Sequence, residues 1–265
     1  RMGNGKSSWK KINGGLPQGT KWGPLLFAIM VNSLLNDWEG RIKYVDDTSA
    51  LEIIPRCSSS LLPLVVDKIF DFAVSRGMKL NPTKCKEMMI SFLQYDLQPI
   101  HPIHISGTLV ERVSCYKLLG VIVSQDLTWN SHVDYILKKA NSRLYALRQL
   151  KKAGLARHDL LQIYCSLIRP CIEYASPVWS DLTQNLINII ESVQKRALRS
   201  IFPSTSYEVA LTQSGLETLE NRRVNACQMF ADKMKSADHI NNPLSTIFQQ
   251  NKHKNCEHNY NLRTT

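Results

Sequence analysis

A chain of 265 residues can bury one large core or two smaller ones, and its 43% hydrophobic and 21% charged content is globular rather than disordered. The 33 Lys and Arg against 22 Asp and Glu leave a net charge of +11, which points to a polyanionic partner, nucleic acid first and a membrane surface second. No run approaches the roughly 18 consecutive apolar residues of a membrane span, and the polar, basic start lacks a signal-peptide core, so the expectation is a soluble intracellular protein, cytoplasmic or nuclear, in two lobes. Cys57, Cys85, Cys115, Cys165, Cys171, Cys227 and Cys256 form no C-x-x-C pair and read as reduced thiols, mostly core.

In chain order, Gly3-Asn4-Gly5-Lys6-Ser7 lacks the earlier glycine and the strand of a phosphate-binding P-loop and reads as a Gly-rich turn between strands. Gly14-Gly15-Leu16-Pro17-Gln18-Gly19-Thr20-Lys21-Trp22-Gly23-Pro24 predicts an irregular loop whose backbone can approach a flat ligand closely. Gln18 in its middle could bond a base or sugar edge. Pro24 opens a helix with Leu26, Ile29, Met30 and Leu34 at helical spacing.

Tyr44-Val45-Asp46-Asp47 lies between β-like runs at 41–44 and 48–54, at or beside the tip of a hairpin. Adjacent carboxylates with no obvious local cation repel each other, and a hard divalent ion removes that cost by taking their oxygens, Mg²⁺ being the first candidate. Without a metal, the same residues make an ordinary Asp-Asp turn.

After the hairpin, Ser58-Ser59-Ser60 offers a cap to a helix running to about residue 76, on Leu62, Val65, Val66, Ile69, Phe70 and Ala73, with Gly77 ending it. Met78 to Lys84 leads into a strand at 88–92, and residues 103–123 read as two or three strands joined around Gly107. His101 and His104 with Cys85 or Cys115 match no zinc spacing.

Helices are predicted over about 131–150, 157–169 (ending at Pro170), from a Thr183 cap to Pro203, and about 216–235. Their stripes, Val133, Ile136, Leu137, Ala140, Leu144 and Leu147 in the first and Leu186, Ile189, Ile190, Val193 and Ala197 in the third, suit helix packing. From Lys138 to Arg157 there are seven basic residues and no acid, and Lys138, Lys139, Arg143, Arg148, Lys151 and Lys152 suit tracking of a phosphate backbone. Residues 236–265 read as a loosely ordered tail.

The blocks Gly15-Leu16-Pro17-Gln18-Gly19-Thr20 with Gly23-Pro24-Leu25-Leu26-Phe27, then Tyr44-Val45-Asp46-Asp47-Thr48, resemble reverse transcriptases of non-LTR (LINE-like, Jockey-type) retrotransposons. Leu80-Asn81-Pro82-Thr83-Lys84 is similar to the family's block before a strand, and Tyr116 to Val123 with Asp126 to Trp129 and His132 to its primer grip. Ile172 to Trp179 and Gln194 to Leu198 resemble the region that follows, so the likeness covers about residues 12–235.

The resemblance implies an α+β fold: a partial polymerase palm over 1–125, a sheet with helices, followed by an α-helical thumb over 126–235. It implies RNA-directed DNA polymerisation with two metal ions, Mg²⁺ or Mn²⁺, on an RNA template, a DNA primer and dNTP. Asp46 and Asp47 would be metal ligands, Asp46 the more direct, with Lys84 near the incoming triphosphate. Pro17, Gln18, Gly19 and Tyr44 would contact template or nucleotide, and Leu119 and Gly120 would seat the primer. The family's other catalytic Asp comes from a strand upstream of the Gly15 loop, in fingers and palm segments that this sequence does not include, while Asp37 and Glu39 are poor substitutes. Ser33 also stands where the family often has Asp. The expectation is therefore a polymerase fragment inactive by itself, the alternative being a catalytically inactive remnant that binds nucleic acid.

Overall fold

The computed structural model describes residues 8, 15, 19–55, 58–92 and 101–235, so the readings at Gly3-Asn4-Gly5-Lys6-Ser7, at Pro17 and Gln18 and over the tail 236–265 lie outside the described residues. The fold mixes helices with short strands and divides into two compact units, Arg1–Ser114 and Cys115–Thr265. The division falls earlier than the expected 125, so the hairpin preceding the long basic helix belongs with the helices.

In the first unit α1 (Trp22–Val31) starts at a turn where Thr20 Oγ1 accepts the Gly23 N–H at 3.2 Å, and Pro24 lies in its first turn, where its missing N–H costs nothing. The apolar run continues to Leu35 but the helix does not. Lys43 Nζ donates to the carbonyls of Val31, Asn32 and Leu34 at 3.0, 2.7 and 3.2 Å, and Arg41 donates to that of Leu34 at 2.7 Å. Cations at a helix C-terminus satisfy its orphan carbonyls and oppose its dipole, so the helix stops where they bind.

These cations come from β1 (Arg41–Tyr44), which pairs antiparallel with β2 (Asp47–Ala50) in the register Arg41↔Ala50 to Tyr44↔Asp47. The second strand is shorter than the expected 48–54. After Ala50 the Leu51 N–H still bonds Gly40 O at 2.7 Å, but the Leu51 carbonyl turns to the Trp38 indole N–H at 3.0 Å. That carbonyl lies where a Cβ on Gly40 would be, 2.1 Å from the ideal position, so only glycine fits there.

The α2 helix (Leu62–Ser75) is capped as the serines suggest, though chiefly through a residue beyond the hairpin. Ser60 Oγ accepts the Leu62 N–H at 3.2 Å and donates to Glu52 at 2.7 Å, while the Glu52 carboxylate accepts the N–H groups of Leu61 and Leu62 at 2.8 and 3.3 Å. At the other end, bonds from Gly77 N to Val74 O and Met78 N to Ala73 O make the paired closure that glycine favours. One flank of α2 packs Val65, Ile69 and Phe72 with Leu34 and Leu35, and the other packs Leu62, Val66 and Phe70 with Ile103, Ile105 and Val110. This helix is therefore the axis of the first unit.

β3 (Lys86–Glu87), β4 (His104–Ile105), β5 (Thr108–Leu109) and β6 (Glu111–Arg112) are two residues each, with β4 antiparallel to β5 and β3 parallel to β6. The strand expected at 88–92 does not form, because β6 offers only two residues of ladder before Val113. Ion pairs Lys86–Glu111 (2.5 Å) and Arg112–Glu87 (3.1 Å) flank that short ladder.

The second unit opens with β7 (Cys115–Leu118) and β8 (Val121–Ser124), antiparallel around Leu119-Gly120. α3 (Asn130–Lys152) buries Val133, Ile136, Ala140, Leu144 and Leu147, the stripe its sequence shows. His132 is also buried: its Nδ1 accepts the Ile122 N–H at 3.2 Å, its ring lies 5.3 Å from that of the fully buried Trp179, and burial lowers its pKa.

Pro170 does not end the next helix. α4 (Arg157–Ile163) passes through a π turn, Tyr164–Ile168, into α5 (Arg169–Glu173). The wider turn accommodates a residue with no N–H and a ring that would clash with the preceding turn of an α-helix. α6 (Gln184–Ile201) follows a Thr183 whose side chain makes no capping bond. The helix expected at about 216–235 forms as α8 (Leu219–Lys235), where Thr218 Oγ1 accepts the Asn221 N–H at 3.2 Å, and it is preceded by a helix the sequence did not predict, α7 (Tyr207–Ser214), capped by Ser206 Oγ and closed at Gly215.

Among the described residues no helix is long and apolar enough to cross a membrane. Cys85, Cys165, Cys171 and Cys227 are half-buried free thiols, Cys85 and Cys165 packing against the cores of their units, and Cys115 is exposed, so none of these five is fully buried.

Candidate active site and nucleic-acid interface

The hairpin β1–β2 turns through Val45 and Asp46, and Tyr44 pairs with Asp47 across it. Because neighbouring strand residues alternate faces, Arg41, Lys43, Thr48 and Ala50 share one face, while Ile42, Tyr44, Asp47 and Ser49 share the other. The first face is the one whose cations grip the end of α1. Asp46 and Asp47 are both exposed, and neither carboxylate has a hydrogen-bond or ion-pair partner among the described residues. The cations nearest in sequence are thus committed elsewhere, leaving two adjacent carboxylates uncompensated at a tip beside the exposed Tyr44 ring.

Val45 has φ +56°, a conformation that a β-branched residue rarely adopts. Replacing it with glycine should stabilise the first unit by about 1 kcal/mol, the scale of the left-handed penalty less the extra freedom glycine has when unfolded. Chemical denaturation would show it, and a destabilised Val45→Gly chain would mean that the valine side chain holds the tip through packing.

Asp37 is not available to join the pair. It accepts Lys68 Nζ at 2.6 Å, and that bond holds its carboxyl below the usual range. Glu39 is exposed in the turn before β1, and among the described residues no group of three His, Cys, Asp or Glu stands together as a metal cage. Lys84 is exposed in a turn organised by Asn81, whose Oδ1 accepts the Thr83 N–H at 3.1 Å and whose carbonyl accepts the Lys84 N–H at 3.1 Å. The structure does not bring Lys84 into hydrogen-bond or ion-pair contact with Asp46 or Asp47. Gly19, with φ +78°, lies in the turn before α1.

In the second unit Leu119 and Gly120 form the β7–β8 turn, both with positive φ. Tyr174 Oη donates to Leu119 O at 2.9 Å, and its ring lies 3.2 Å from where a Gly120 Cβ would be. The turn is thus fixed from one side by an aromatic ring. Along α3, Lys138, Lys139, Arg148 and Lys152 are exposed and Lys151 is half-buried. Arg143 is partly committed, its guanidinium bonding Leu167 O and Cys171 Sγ.

Tyr135, Lys138, Lys139, Ser142 and Arg143 line a shallow groove of about 400 Å³. Lys117, from β7, donates to Tyr135 Oη at 2.7 Å. Lys117 lies in the stretch that resembles the primer grip, whereas Tyr135 is not among the residues the sequence singled out, although it stands one helical turn before Lys139, the spacing at which side chains meet.

Residues 1–123 match the family model of reverse transcriptase (RNA-dependent DNA polymerase). The chain is 26% identical over 211 residues to the RNA-directed DNA polymerase from mobile element jockey of Drosophila funebris, covering 74% of this chain and 22% of that protein. It is 23% identical over 252 residues to the probable RNA-directed DNA polymerase from transposon BS of Drosophila melanogaster, covering 89% of this chain and 28% of that protein. The chain is a relative of the non-LTR retrotransposon reverse transcriptases.

It spans about a fifth of the length of the jockey proteins it matches, 22% in both the Drosophila funebris and Drosophila melanogaster forms. No solved structure matches it. A second family model, the N-terminal region of alkylated DNA repair protein alkB homolog 8, matches residues 129–169, from α3 into the π turn. An alignment covering 89% of the chain leaves too few residues outside it to exclude that segment, so the BS relative matches there as well. The reverse-transcriptase match takes in the Asp46-Asp47 tip, the Asn81–Lys84 turn and most of the β7–β8 hairpin.

Proposed function

We propose that this chain is part of an RNA-directed DNA polymerase, its first unit a partial palm and its second a thumb with the primer-grip hairpin attached. The observation that carries the reading is the pair of uncompensated carboxylates at the tip of a two-residue hairpin turn, within the segment that matches the reverse transcriptase family. A hard-oxygen donor set of this kind fits Mg²⁺ or Mn²⁺, with Asp46 and Asp47 as the ligands this chain supplies. The chemistry a divalent ion supplies there is activation of a primer 3′-hydroxyl and stabilisation of the leaving pyrophosphate.

The chain's own residues have simpler tasks. The grip of Lys43 and Arg41 on the carbonyls of α1 and its following turn fixes the hairpin's base, so the carboxylates are presented on a held strand pair. Tyr44, beside Asp47, offers an exposed ring to a nucleotide. Lys84 offers an ammonium to phosphates, and Gly19 with Pro17 and Gln18 a loop to the template. The primer rests on Leu119 and Gly120, and the cations of α3 track the duplex backbone, RNA template and DNA primer together, through charge and shape rather than sequence. Such a protein would act inside the cell, in cytoplasm or nucleus.

The direct test is Mn²⁺-induced relaxation of the Asp46 and Asp47 resonances, expected to be weak because two carboxylates make an incomplete cage. It should vanish in Asp46→Asn/Asp47→Asn, and equal responses from the two chains would remove the metal assignment. For the duplex, replacing Lys138, Arg148 and Lys152 with Glu should weaken primer-template binding and reduce the slope of log affinity against log salt by about 2 to 3, roughly one for each phosphate no longer neutralised. An unchanged slope would place the duplex on another surface.

A further inference from the structure

Two cations converge on one ring in the second unit. Lys117 Nζ lies 4.7 Å from the centroid of Tyr135 and Lys139 Nζ 5.2 Å from it, and Lys117 also donates to its hydroxyl at 2.7 Å. Neither lysine forms an ion pair among the described residues, and the Lys117 bond to the Tyr135 hydroxyl, with the charge of both lysines, lowers its pKa. Two like charges gathered at one point without a counter-charge repel, and an anion placed between them removes that cost. The ring attracts each ammonium but cannot neutralise either.

We infer that Lys117, Tyr135 and Lys139 form a seat for a single phosphodiester group, the point where a polynucleotide backbone is pinned between the β7–β8 hairpin and α3. The inference rests on the nucleic-acid reading above and adds to it a named group on each element. Tyr135 Oη accepts its bond from Lys117, so its own O–H proton is free to be donated to a non-bridging phosphate oxygen. The two ammonium groups supply the charge. Lys138 and Ser142 line the same groove. The seat holds hydrogen-bond direction as well as charge, which sets it apart from Arg148 and Lys152 farther along α3. A phosphate there takes a fixed place, whereas one beside an exposed lysine alone is only attracted.

The experiment uses the 265-residue chain with two probes, an RNA–DNA primer-template followed by fluorescence anisotropy across a salt series and inorganic pyrophosphate followed by the NMR shifts of the Tyr135 ring. Lys117→Gln and Lys139→Gln should each reduce the salt slope by about 1. Tyr135→Phe, which keeps the ring, should weaken duplex binding about tenfold at every salt concentration with the slope unchanged. Pyrophosphate should shift the Tyr135 resonances in the native chain, and not in Lys117→Gln/Lys139→Gln. If the native chain binds duplex and Lys117→Gln, Lys139→Gln and Tyr135→Phe bind it equally well, the seat is refuted and the nucleic-acid reading stands. If pyrophosphate shifts Tyr135 but duplex does not bind, the anion seat stands and the polymerase reading fails. Circular dichroism of each variant, expected to match the native chain, separates removal of a binding group from unfolding.

Discussion

Residues 1–265 assayed alone are expected to bind an RNA–DNA primer-template yet add no nucleotide to it with Mg²⁺ and dNTPs. Two-metal chemistry needs its ions held about 4 Å apart on a shared set of oxygens. The hairpin offers two adjacent carboxylates, and among the described residues no third acid, cysteine or histidine joins them. Asp37 is held by Lys68. Fused behind the fingers and first aspartate strand that the family resemblance places upstream, the same residues should extend the primer. In that longer chain Asp46→Asn should lower the rate about a thousandfold or more, the scale of removing a group aimed at developing charge. Asp47→Asn, the less direct partner, should cost about ten- to a hundredfold. Asp46-dependent synthesis by residues 1–265 alone would overturn this and return Glu39 as the missing ligand. A fusion that binds primer-template and stays inactive would instead make the chain a remnant that holds nucleic acid.

What the sequence showed plainly was what short-range periodicity and turn chemistry control. The stripe of α2, its serine cap and its closing Gly77 are all local, and so is the hairpin at Tyr44 to Asp47. The basic run declared itself because seven cations without an acid between Lys138 and Arg157, six of them on α3, cannot be the buried face of anything. What stayed hidden depends on partners distant in the chain. Glu52 caps α2 from beyond the hairpin, and Lys43 and Arg41 bind carbonyls of α1 and its following turn; each reads locally as an exposed charge. The strand expected at 88–92 needed a ladder that β6 does not supply. Pro170 read as a stop because the π turn that accommodates it leaves no mark in composition. α7 carries no strong apolar stripe, and only Ser206 and Gly215 mark its ends.

The same limit applied to α6, where Glu191 and Gln194 interrupt the apolar stripe and read as solvated positions, yet both are buried. Gln194→Met is expected to destabilise the second unit by about 3 to 5 kcal/mol, because Tyr164 Oη and Glu217 O lose their Gln194 partner and Tyr207 Oη loses one of its two bonds at once. Gln194 Oε1 accepts Tyr164 Oη at 2.7 Å, and its Nε2 is placed to donate to Tyr207 Oη at 3.0 Å and Glu217 O at 2.9 Å. Tyr207 Oη in turn donates to Glu191, whose other oxygen accepts the Leu219 N–H at 3.0 Å. One side chain thus ties the π turn, α6, α7 and the start of α8. Burial pushes the Tyr164 phenol well above its ordinary range, and burial with the Glu191 bond does the same for Tyr207, so both remain neutral donors at any physiological pH. Methionine fills a similar volume, so the loss reports hydrogen bonds rather than a cavity. Each orphaned buried group costs about 1 to 3 kcal/mol, and Tyr164→Phe, which removes one donor and leaves the remaining bonds, should cost about 1 kcal/mol. Hydrogen exchange of the α6 amides would measure both, with rates roughly 200- to 5,000-fold faster in Gln194→Met, at about 1.4 kcal/mol for each factor of ten. Equal protection in Gln194→Met and the native chain would mean that apolar packing around Trp179 and Ile190 holds the second unit without the polar network.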